Sequence, residues 1–290
     1  MSLPPKVTVV IPAKDEQRTI ERCLSLVLSQ QAPYPFEVIV VDSYSTDMTP
    51  EIARRKGVKV VKARRPKKSA AVNTGILEAR GEIVAVLDAD CYPSSGRWLE
   101  ELCKPFSSSE VGVVCGSILN AAGQVTEKKS VFGQVFWGAN MAFRREAALK
   151  AGLFDESLEA GEDKDFQLKV VKAGYEFKYV KAASVVHQPF QKMRELVLSQ
   201  MRHGRGVMGI FRKHSDVFRR LHPAKLIYWA ARTVYEDAKA NAMNYKPAQQ
   251  PGLKAKLHYA IALAAAAFSM LLGIAQAILG KQPATSSQPS

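Results

Sequence analysis

The sequence predicts an α/β fold in which a sheet carries helices on both faces, and three observations support this prediction. Short β-branched runs alternate with segments of helical spacing over residues 6–90, as expected for parallel strands linked by crossover helices. Polar residues follow the predicted strands, and ligands of open α/β sheets bind beyond the carboxyl ends of the strands. Residues 84–90 form an apolar run that ends in two carboxylates, Asp88 and Asp90.

The individual elements follow from hydrophobic periodicity and from the positions of glycine and proline. Strands are predicted at residues 6–12, 37–42, 58–61, 84–90, 111–116, 179–180 and 183–186, and helices at residues 19–30, 49–57, 69–79, 96–105 and 161–174. Residues 138–145 hold small side chains that permit close approach of the chain, and a helix is expected after them, ending before Gly152. No G-x-G-x-x-G follows the first predicted strand, which argues against a dinucleotide cofactor, and the phosphate loop G-x-x-x-x-G-K-[ST] is absent from the sequence.

The composition favours some classes of protein over others. With 47% hydrophobic residues the 290-residue chain can bury a full core, and its net charge of +14 favours an anionic partner such as a nucleotide, a nucleic acid or an acidic lipid surface. The four cysteines form no C-x-x-C pair, so reduced, buried thiols in a cytosolic compartment are expected rather than a zinc site or a disulfide framework. The first residues predict no signal peptide.

Asp88 and Asp90 are the first candidates for chemistry. Residues two apart on a strand point to the same side, so both carboxylates can aim at one point beyond the strand end. Two carboxylates that share a point need a cation or a proton between them, and Mg2+ is typically held by one or two carboxylates plus phosphate oxygens. The alternative is a polar loop after a buried strand, because short motifs carry a high risk of false positives.

Two other charged segments lie where a phosphate or a reacting group would be met. Residues 62–68 form a basic loop at the predicted carboxyl rim, suited to a diphosphate or simply to solvent. The helix that follows Gly161 has Glu162, Asp163 and Asp165 in its first turn. Acidic residues stabilise a helix N-terminus, but one would suffice, and a carboxylate placed there can serve as a general base.

Taken together, these motifs resemble the inverting family 2 glycosyltransferases of GT-A fold. The family motif I-P-x-x-N-E corresponds to residues 11–16, V-D-D-G-S-x-D to residues 41–47, N-x-G-x-x-x-A-x-G-E to residues 73–82, D-x-D to residues 88–90, G-x-N-x-x-x-R to residues 138–144 and G-E-D-x-D to residues 161–165. The match covers about residues 6–190 in order and at the usual spacing. It implies a GT-A mixed sheet with helices on both faces over residues 1–190.

The resemblance also implies the roles of individual residues. A nucleotide-diphospho-sugar donor would be bound by Pro12, Lys14, Glu16, Asp42, Asp47, Lys68, Asn73 and Asp88. Mn2+ or Mg2+ would be held by Asp88, Asp90 and His187, although a structural histidine at a strand end is the alternative for the last of these. Asp163 would be the catalytic base, and Glu162 and Asp165 would support it or bind the acceptor. Asn140 would contact the acceptor or the diphosphate.

Two positions depart from the family pattern. Asp15 replaces the usual asparagine, and Ser43 and Tyr44 replace Asp-Gly, so that a bulky ring lies where the family commonly has glycine. These substitutions lie in loops on the nucleobase side of the expected site. They leave the identity of the donor open.

The C-terminal third differs in character from the rest. Residues 191–250 are predicted to form basic amphipathic interfacial helices, and residues 251–280 a transmembrane helix, or a hairpin with residues 225–240, with a buried packing helix as the alternative. Residues 281–290 are rich in proline, serine and glutamine and are expected to be disordered. A loose relative of the cellulose-synthase-like Q-x-x-R-W element places Arg202 or Arg205 at the diphosphate or the acceptor.

The expected protein is a membrane-associated, metal-dependent inverting glycosyltransferase whose catalytic domain is cytoplasmic at the cell membrane, since the excess of Lys and Arg beside the predicted span favours that side. It would move a hexose, with mannose from GDP-mannose as the first guess, to a lipid-linked acceptor in cell-surface or N-glycan biosynthesis. A UDP-sugar-dependent polyprenyl-phosphate or polysaccharide glycosyltransferase is the closest alternative. A nucleotidyltransferase and a non-catalytic basic protein that binds nucleic acid or a membrane surface are the rivals, and no nucleic-acid partner is expected.

Overall fold

The computed structural model describes residues 3–120, 122–125 and 138–188, together with residues 198, 199, 201, 210, 213, 214 and 264. The strands are β1 (Val7–Ala13), β2 (Phe36–Asp42), β3 (Lys59–Lys62), β4 (Ile83–Leu87), β5 (Cys91–Pro93), β6 (Val111–Leu119), β7 (Asn140–Arg144) and β8 (Glu176–His187). The helices are α1 (Ile20–Leu28), α2 (Thr49–Arg55), α3 (Lys68–Glu78), α4 (Trp98–Cys103), α5 (Arg145–Lys150) and α6 (Glu162–Lys172), with a 3-10 turn at Lys104–Ser107.

All eight strands form one mixed sheet in the order β3-β2-β1-β4-β7-β6-β8-β5. Strands β1, β2, β3 and β4 are parallel to one another, whereas β7 is antiparallel to both β4 and β6. The predicted parallel first half and the mixed α/β sheet are therefore confirmed. Because β1, β2 and β4 run the same way, the loops after Ala13, Asp42 and Leu87 meet at one edge of the sheet, called here the carboxyl rim.

The two faces of the sheet bury separate apolar cores. Alternate residues of β1 point to opposite faces, so that Ile11 joins Leu24 of α1 and Trp98 of α4, while Val10 joins the core under α3 and α6. In the second core the ring of Phe166 in α6 stacks on Phe154 at 4.1 Å and meets Phe143 of β7 edge-on at 4.8 Å between ring centroids. These ring contacts hold α6 against the sheet.

Three strand predictions are corrected. Residues 179–180 and 183–186 are not a pair of strands but parts of the single strand β8, whose pairing with β6 is shifted between Gly116 and Ser117. Strands β5 and β7 were not predicted. Residues 140–144 were expected only as a close approach, and they instead insert antiparallel between β4 and β6.

The predictions for the C-terminal third fall mostly outside the described residues. These include Arg202, Arg205, the interfacial helices, the membrane helix at residues 251–280 and the tail. Within the residues that the structure describes, no helix is both long and apolar enough to cross a bilayer.

A close contact at Gly81 gives a test of the packing between β1 and the start of β4. A Cβ atom at Gly81 would lie 2.6 Å from the backbone nitrogen of Thr8 and 2.7 Å from the carbonyl carbon of Val7, and backbone atoms cannot swing aside. Gly81→Ala should lower the free energy of unfolding by about 1–3 kcal/mol, measured by urea denaturation. Gly96→Ala is the control, since its nearest neighbour is Gln31 Cδ at 4.0 Å. Equal stability of the two variants would contradict the expected clash.

Candidate functional site

Two chain segments bring the three predicted metal ligands to the carboxyl rim. Asp88 and Asp90 follow β4, and β5 pairs antiparallel with β8 in the register Cys91 to His187. This pairing places the His187 Nε2 atom 3.5 Å from Asp90 Oδ2. Asp88 Oδ2 accepts a hydrogen bond from Lys68 Nζ at 2.5 Å, whereas the buried Asp88 Oδ1 has no hydrogen-bond partner among the described residues.

This donor set fits a divalent cation. Ligand atoms of Asp90, Cys91 and His187 all lie within 4.8 Å of one another. Asp88 is not one of these three residues, but its Oδ1 atom has no hydrogen-bond partner among the described residues, and carboxylate oxygens suit Mn2+ and Mg2+. Cys91 was missed at the sequence level, where the cysteines were treated as buried thiols, although its position directly after Asp90 was a usable signal.

Lys68 begins α3 and lies among carboxylates from two directions. Partial burial lowers its pKa, but the charges of Asp88, Glu162 and Asp163 together raise the pKa above its ordinary value. Lys68 is therefore a permanent cation at the rim. The structure thus joins the D-x-D segment, the basic loop and the acidic helix, as the sequence predicts for three separate motifs.

The acidic start of α6 faces this group. Gly161 has φ +81°, a left-handed conformation that glycine adopts without strain, and α6 begins directly after it. Asp163 lies against Gly138, because a Cβ atom at that glycine would fall 2.9 Å from Asp163 Cβ. Burial and the neighbouring Asp163 charge raise the pKa of Glu162. Because Gly138 has no side chain, there is space beside it for Asp163, the predicted base.

The third carboxylate of this motif, Asp165, lies elsewhere. It is fully buried on another side of α6, where it pairs with Lys169 at 3.3 Å, Lys213 at 2.9 Å and His214 at 2.8 Å. The structure does not bring Asp165 to the rim, so the alternative that it binds the acceptor is corrected, and the alternative that it supports Asp163 stays a prediction.

Glu16 lies at the rim near the D-x-D carboxylates. Burial, together with the charges of Asp90 and Asp88, raises its pKa to about 7, although a hydrogen bond from Thr19 lowers it. Its own backbone nitrogen donates to Thr49 Oγ1 at 2.7 Å. A cation near Glu16 would lower the pKa of this carboxyl group, because a positive charge favours the ionised form.

The other predicted donor contacts on this side are mainly loop residues. Asp42 Oδ1 accepts from the Ser45 nitrogen at 3.1 Å. Slight burial raises the pKa of Asp47, but hydrogen bonds from Thr49 and from the Gln17 nitrogen bring the pKa below its ordinary value. These contacts fasten the loop after β2. Pro12 is buried in β1 and Lys14 is exposed, and the contact of all four residues with a donor stays a prediction.

Two asparagines predicted to bind ligands are occupied by the protein itself. Asn73 Nδ2 donates to the Phe154 carbonyl at 2.9 Å and to Glu156 Oε1 at 3.0 Å, and its Oδ1 accepts from the Phe154 nitrogen at 2.9 Å. Asn140 is fully buried. Its Oδ1 accepts from Trp98 Nε1 at 2.9 Å, and its Nδ2 donates to the carbonyls of Ser117 and Ala183 at 3.0 and 2.9 Å. The predicted contact of Asn140 with the acceptor or the diphosphate is corrected, because this side chain has no exposed surface. Asn73 Oδ1 accepts one hydrogen bond and keeps a second lone pair, so its contact with the donor stays a prediction.

The two departures from the family pattern have visible consequences. Asp15 and Tyr44 both have positive φ, +55° and +63°. Asp15 Oδ1 accepts from the Thr46 nitrogen at 2.7 Å, a contact that an asparagine oxygen would also make. Tyr44 is 39% exposed with Lys62 Nζ 4.3 Å from its ring centroid. A bulky residue in the left-handed region is strained, and such strain is common in functional loops.

Two family descriptions and a curated protein match the sequence over long stretches. Residues 8–157 match the family described as glycosyl transferase family 2, and residues 83–275 match glycosyl transferase family group 2. The glycosyltransferase AglE of Haloferax volcanii is 30% identical over 228 residues, covering 71% of this chain and 74% of that protein.

Solved structures give the same result at the level of the fold. The mannosyltransferase PcManGT from Pyrobaculum calidifontis, determined in complex with GDP-Man and Mn2+, superposes with a TM-score of 0.62 at 26% identity, covering 97% of this chain and 82% of that chain. Glucosyl-3-phosphoglycerate synthase from Mycobacterium tuberculosis gives a TM-score of 0.54 at 21% identity over 72% of this chain and 79% of that chain. The second likeness shows the fold alone.

The raised pKa of Glu16 predicts a pH-dependent stability in metal-free protein. Its folded pKa of about 7 exceeds the ordinary 4.5, so the folded state binds this proton more tightly than the unfolded state. The stabilisation is complete below pH 4.5 and is lost as the pH rises through 7. Thermal melts in EDTA from about pH 5 to about pH 8 should therefore show a weaker pH dependence for Glu16→Gln than for the parent.

Glu78→Gln, at the exposed end of α3, is the matched control and should keep the parental pH dependence. If Glu16→Gln and the parent respond identically to pH, the assigned pKa of Glu16 is wrong.

Proposed function

Since the chain belongs to glycosyl transferase family 2 and is a glycosyltransferase, we propose that it transfers a hexose with inversion from a nucleotide-diphospho-sugar to an acceptor hydroxyl, with Mn2+ or Mg2+ as cofactor. One observation carries the metal-dependent mechanism. The half-buried carboxylate of Asp88 accepts from Lys68 through one oxygen, and its other, buried oxygen has no hydrogen-bond partner in the described chain, close to Asp90 and His187. That arrangement suits a cation and a diphosphate together.

The bond changes follow from inversion. Asp163 takes the proton of the acceptor hydroxyl, and the acceptor oxygen forms a bond to the anomeric carbon from the face opposite the nucleotide. The bond between that carbon and the diphosphate oxygen breaks, and the electron pair leaves with the nucleotide diphosphate. When bound at Asp88, Asp90 and His187, the metal ion supplies positive charge to the leaving diphosphate. Lys68 adds a fixed ammonium beside it, and Glu162 lies next to the base.

The finer assignments have separate support. GDP-mannose as donor is supported by the likeness to a mannosyltransferase that was determined with GDP-Man and Mn2+. A lipid-linked acceptor and a position at the cell membrane, with the catalytic domain cytoplasmic, are supported by the uncharged residues 257–279 and the basic residues that precede them. A UDP-sugar remains the alternative donor, because Tyr44 changes the loop on the nucleobase side.

The role of Asp163 gives the first test of the mechanism. Asp163→Asn keeps the size of the side chain but cannot accept the proton, so transfer should slow by at least about 100-fold. Folding and binding of the donor should stay at parental levels, which thermal melts with and without GDP-mannose would check. Unchanged turnover would rule out Asp163 as the base.

The assignment of Asp90 as a metal ligand predicts a loss of metal-dependent donor binding. Asp90→Ala should abolish the Mn2+-dependent stabilisation by donor, which for a ligand at 100 times its dissociation constant amounts to about 2.7 kcal/mol. A panel of GDP- and UDP-sugars, each with and without Mn2+, would name the donor in the same experiment. Glu176→Ala is the control, since Glu176 begins β8 and His187 ends it. Persistence of metal-dependent binding in Asp90→Ala would remove the assignment.

A further inference from the structure

Asp165 is a buried charged residue that lies away from the proposed reaction site. Its side chain is fully buried, and its Oδ1 atom lies 2.8 Å from His214 Nε2 and 2.9 Å from Lys213 Nζ. Its Oδ2 atom lies 3.3 Å from Lys169 Nζ within α6 itself. Removing one partner of a buried ion pair is strongly destabilising because it leaves a charge without compensation. The ion pair with Lys213 and the hydrogen bond with His214 therefore attach α6 to a distant part of the chain.

The same two residues also reach the neighbours of Asp165. Lys213 Nζ lies 2.5 Å from Asp155 Oδ2, in the segment between α5 and α6. His214 Nδ1 lies 3.2 Å from Lys172 Nζ at the end of α6. His214 is only 3% exposed and its contact with Asp165 is buried, whereas the contact of Lys213 with Asp155 is exposed to solvent. Lys213 and His214 therefore contact the first turn of α6, its last residue and the segment before it.

The contact of Asp165 with Lys213 and His214 lies in the same helical turn as Asp163, the predicted base. Asp163 and Asp165 are two residues apart in the first turn of α6, so at 100° per residue they point to different sides of the helix. Asp163 abuts Gly138 at the rim, and Asp165 faces His214. The hydrogen bond from the Asp165 nitrogen to the Gly161 carbonyl, 3.0 Å long, closes the same turn. A shift at Asp165 therefore moves Asp163.

We propose that the contact of Asp165 with Lys213 and His214 is a positioning clamp that holds the first turn of α6, and with it Asp163, at the Lys68–Asp88 pair. Lys213 and His214 thereby control the rate of sugar transfer through their contacts with α6. This inference rests on the proposed role of Asp163 as base. Lys213 and His214 are positioning residues, since neither is placed at the donor, the metal site or the rim.

The hydrogen bonds of His214 define a conservative replacement. An ammonium group only donates, so Lys172 Nζ donates to His214 Nδ1 at 3.2 Å, and His214 Nε2 donates to Asp165 Oδ1 at 2.8 Å. A glutamine side chain also has one donor group and one acceptor group, on its amide nitrogen and oxygen. His214→Gln can keep both contacts, whereas His214→Ala loses both.

The experiment compares these variants in the full chain, with Mn2+, GDP-mannose and a polyprenyl-phosphate acceptor, well below each melting temperature. His214→Ala should lower kcat by about 10- to 100-fold, as expected for a misplaced reacting group, with the donor KM changed by less than about twofold. His214→Gln should recover most of the parental kcat. Lys178→Ala is the matched control, because it removes an exposed ion pair with Glu176 and should leave kcat unchanged.

Amide hydrogen exchange keeps the clamp testable without any substrate. Exchange of the Asp165 amide should be faster in His214→Ala than in the parent and near parental in His214→Gln, while amides of α1 stay unchanged in both. Lys213→Ala replaces His214→Ala if the latter fails to fold. Parental exchange and parental kcat in a folded His214→Ala would overturn the clamp, and so would equal losses in His214→Ala and His214→Gln.

The two proposals fail in different ways. If Asp163→Asn transfers at the parental rate, the base assignment is wrong whatever the exchange data show. If Asp163→Asn is slow but His214→Ala is not, the base stands and the clamp is wrong. If the parent does not use GDP-mannose, the first-guess donor is wrong and the exchange comparison still decides the clamp.

Discussion

The crowding of carboxylates around one ammonium at the end of β4 is the constraint on which the site depends. Lys68 pairs directly with Asp88 and is within electrostatic reach of Glu162 and Asp163, while Glu16 on the other side has a pKa raised by Asp88 and Asp90. One fixed cation cannot balance so many acidic groups in a partly buried place. The arrangement is thus most stable when further positive charge arrives, and a family 2 glycosyltransferase can meet that need with a divalent ion that accompanies its donor.

Several motif residues serve this constraint indirectly. Asn140 joins β7 to α4, β6 and β8 through buried hydrogen bonds, and Asn73 ties α3 to the segment before α6. Lys67 adds a bond to the carbonyl of Glu156 at 2.7 Å in the same segment. Buried amides that are hydrogen-bonded to several elements specify one arrangement of those elements. Motif residues that were expected at the ligand therefore fix the relative positions of the elements that carry the ligand-facing groups.

The limits of the sequence follow from what local patterns encode. The parallel strands β1, β2 and β4 are continuous apolar runs, and their polar ends reveal the rim before any contact is known. Strand β7 has an uninformative local pattern, and its place in the sheet depends on pairing with strands distant in the chain. The nearness of Cys91 to His187 and of Asp165 to His214 likewise arises from tertiary contacts. Residue type and spacing identified the groups, but only the fold separates those at the rim from those in the scaffold.

Helix α6 carries both residues that lie at the rim and residues that hold the scaffold together. Its first turn carries Asp163 toward the rim, its Phe166 ring packs between Phe143 and Phe154, and its Asp165 meets the chain beyond the sheet. A helix held on its apolar face by aromatic rings and on its polar face by ion pairs has little freedom to rotate, since rotation would break both sets of contacts. Transfer to an acceptor requires the base and the donor to be fixed relative to each other to within about 1 Å, because larger displacements cost about two orders of magnitude in rate. The buried charge at Asp165 is costly for stability alone, and its place beside the base gives it a use that stability does not.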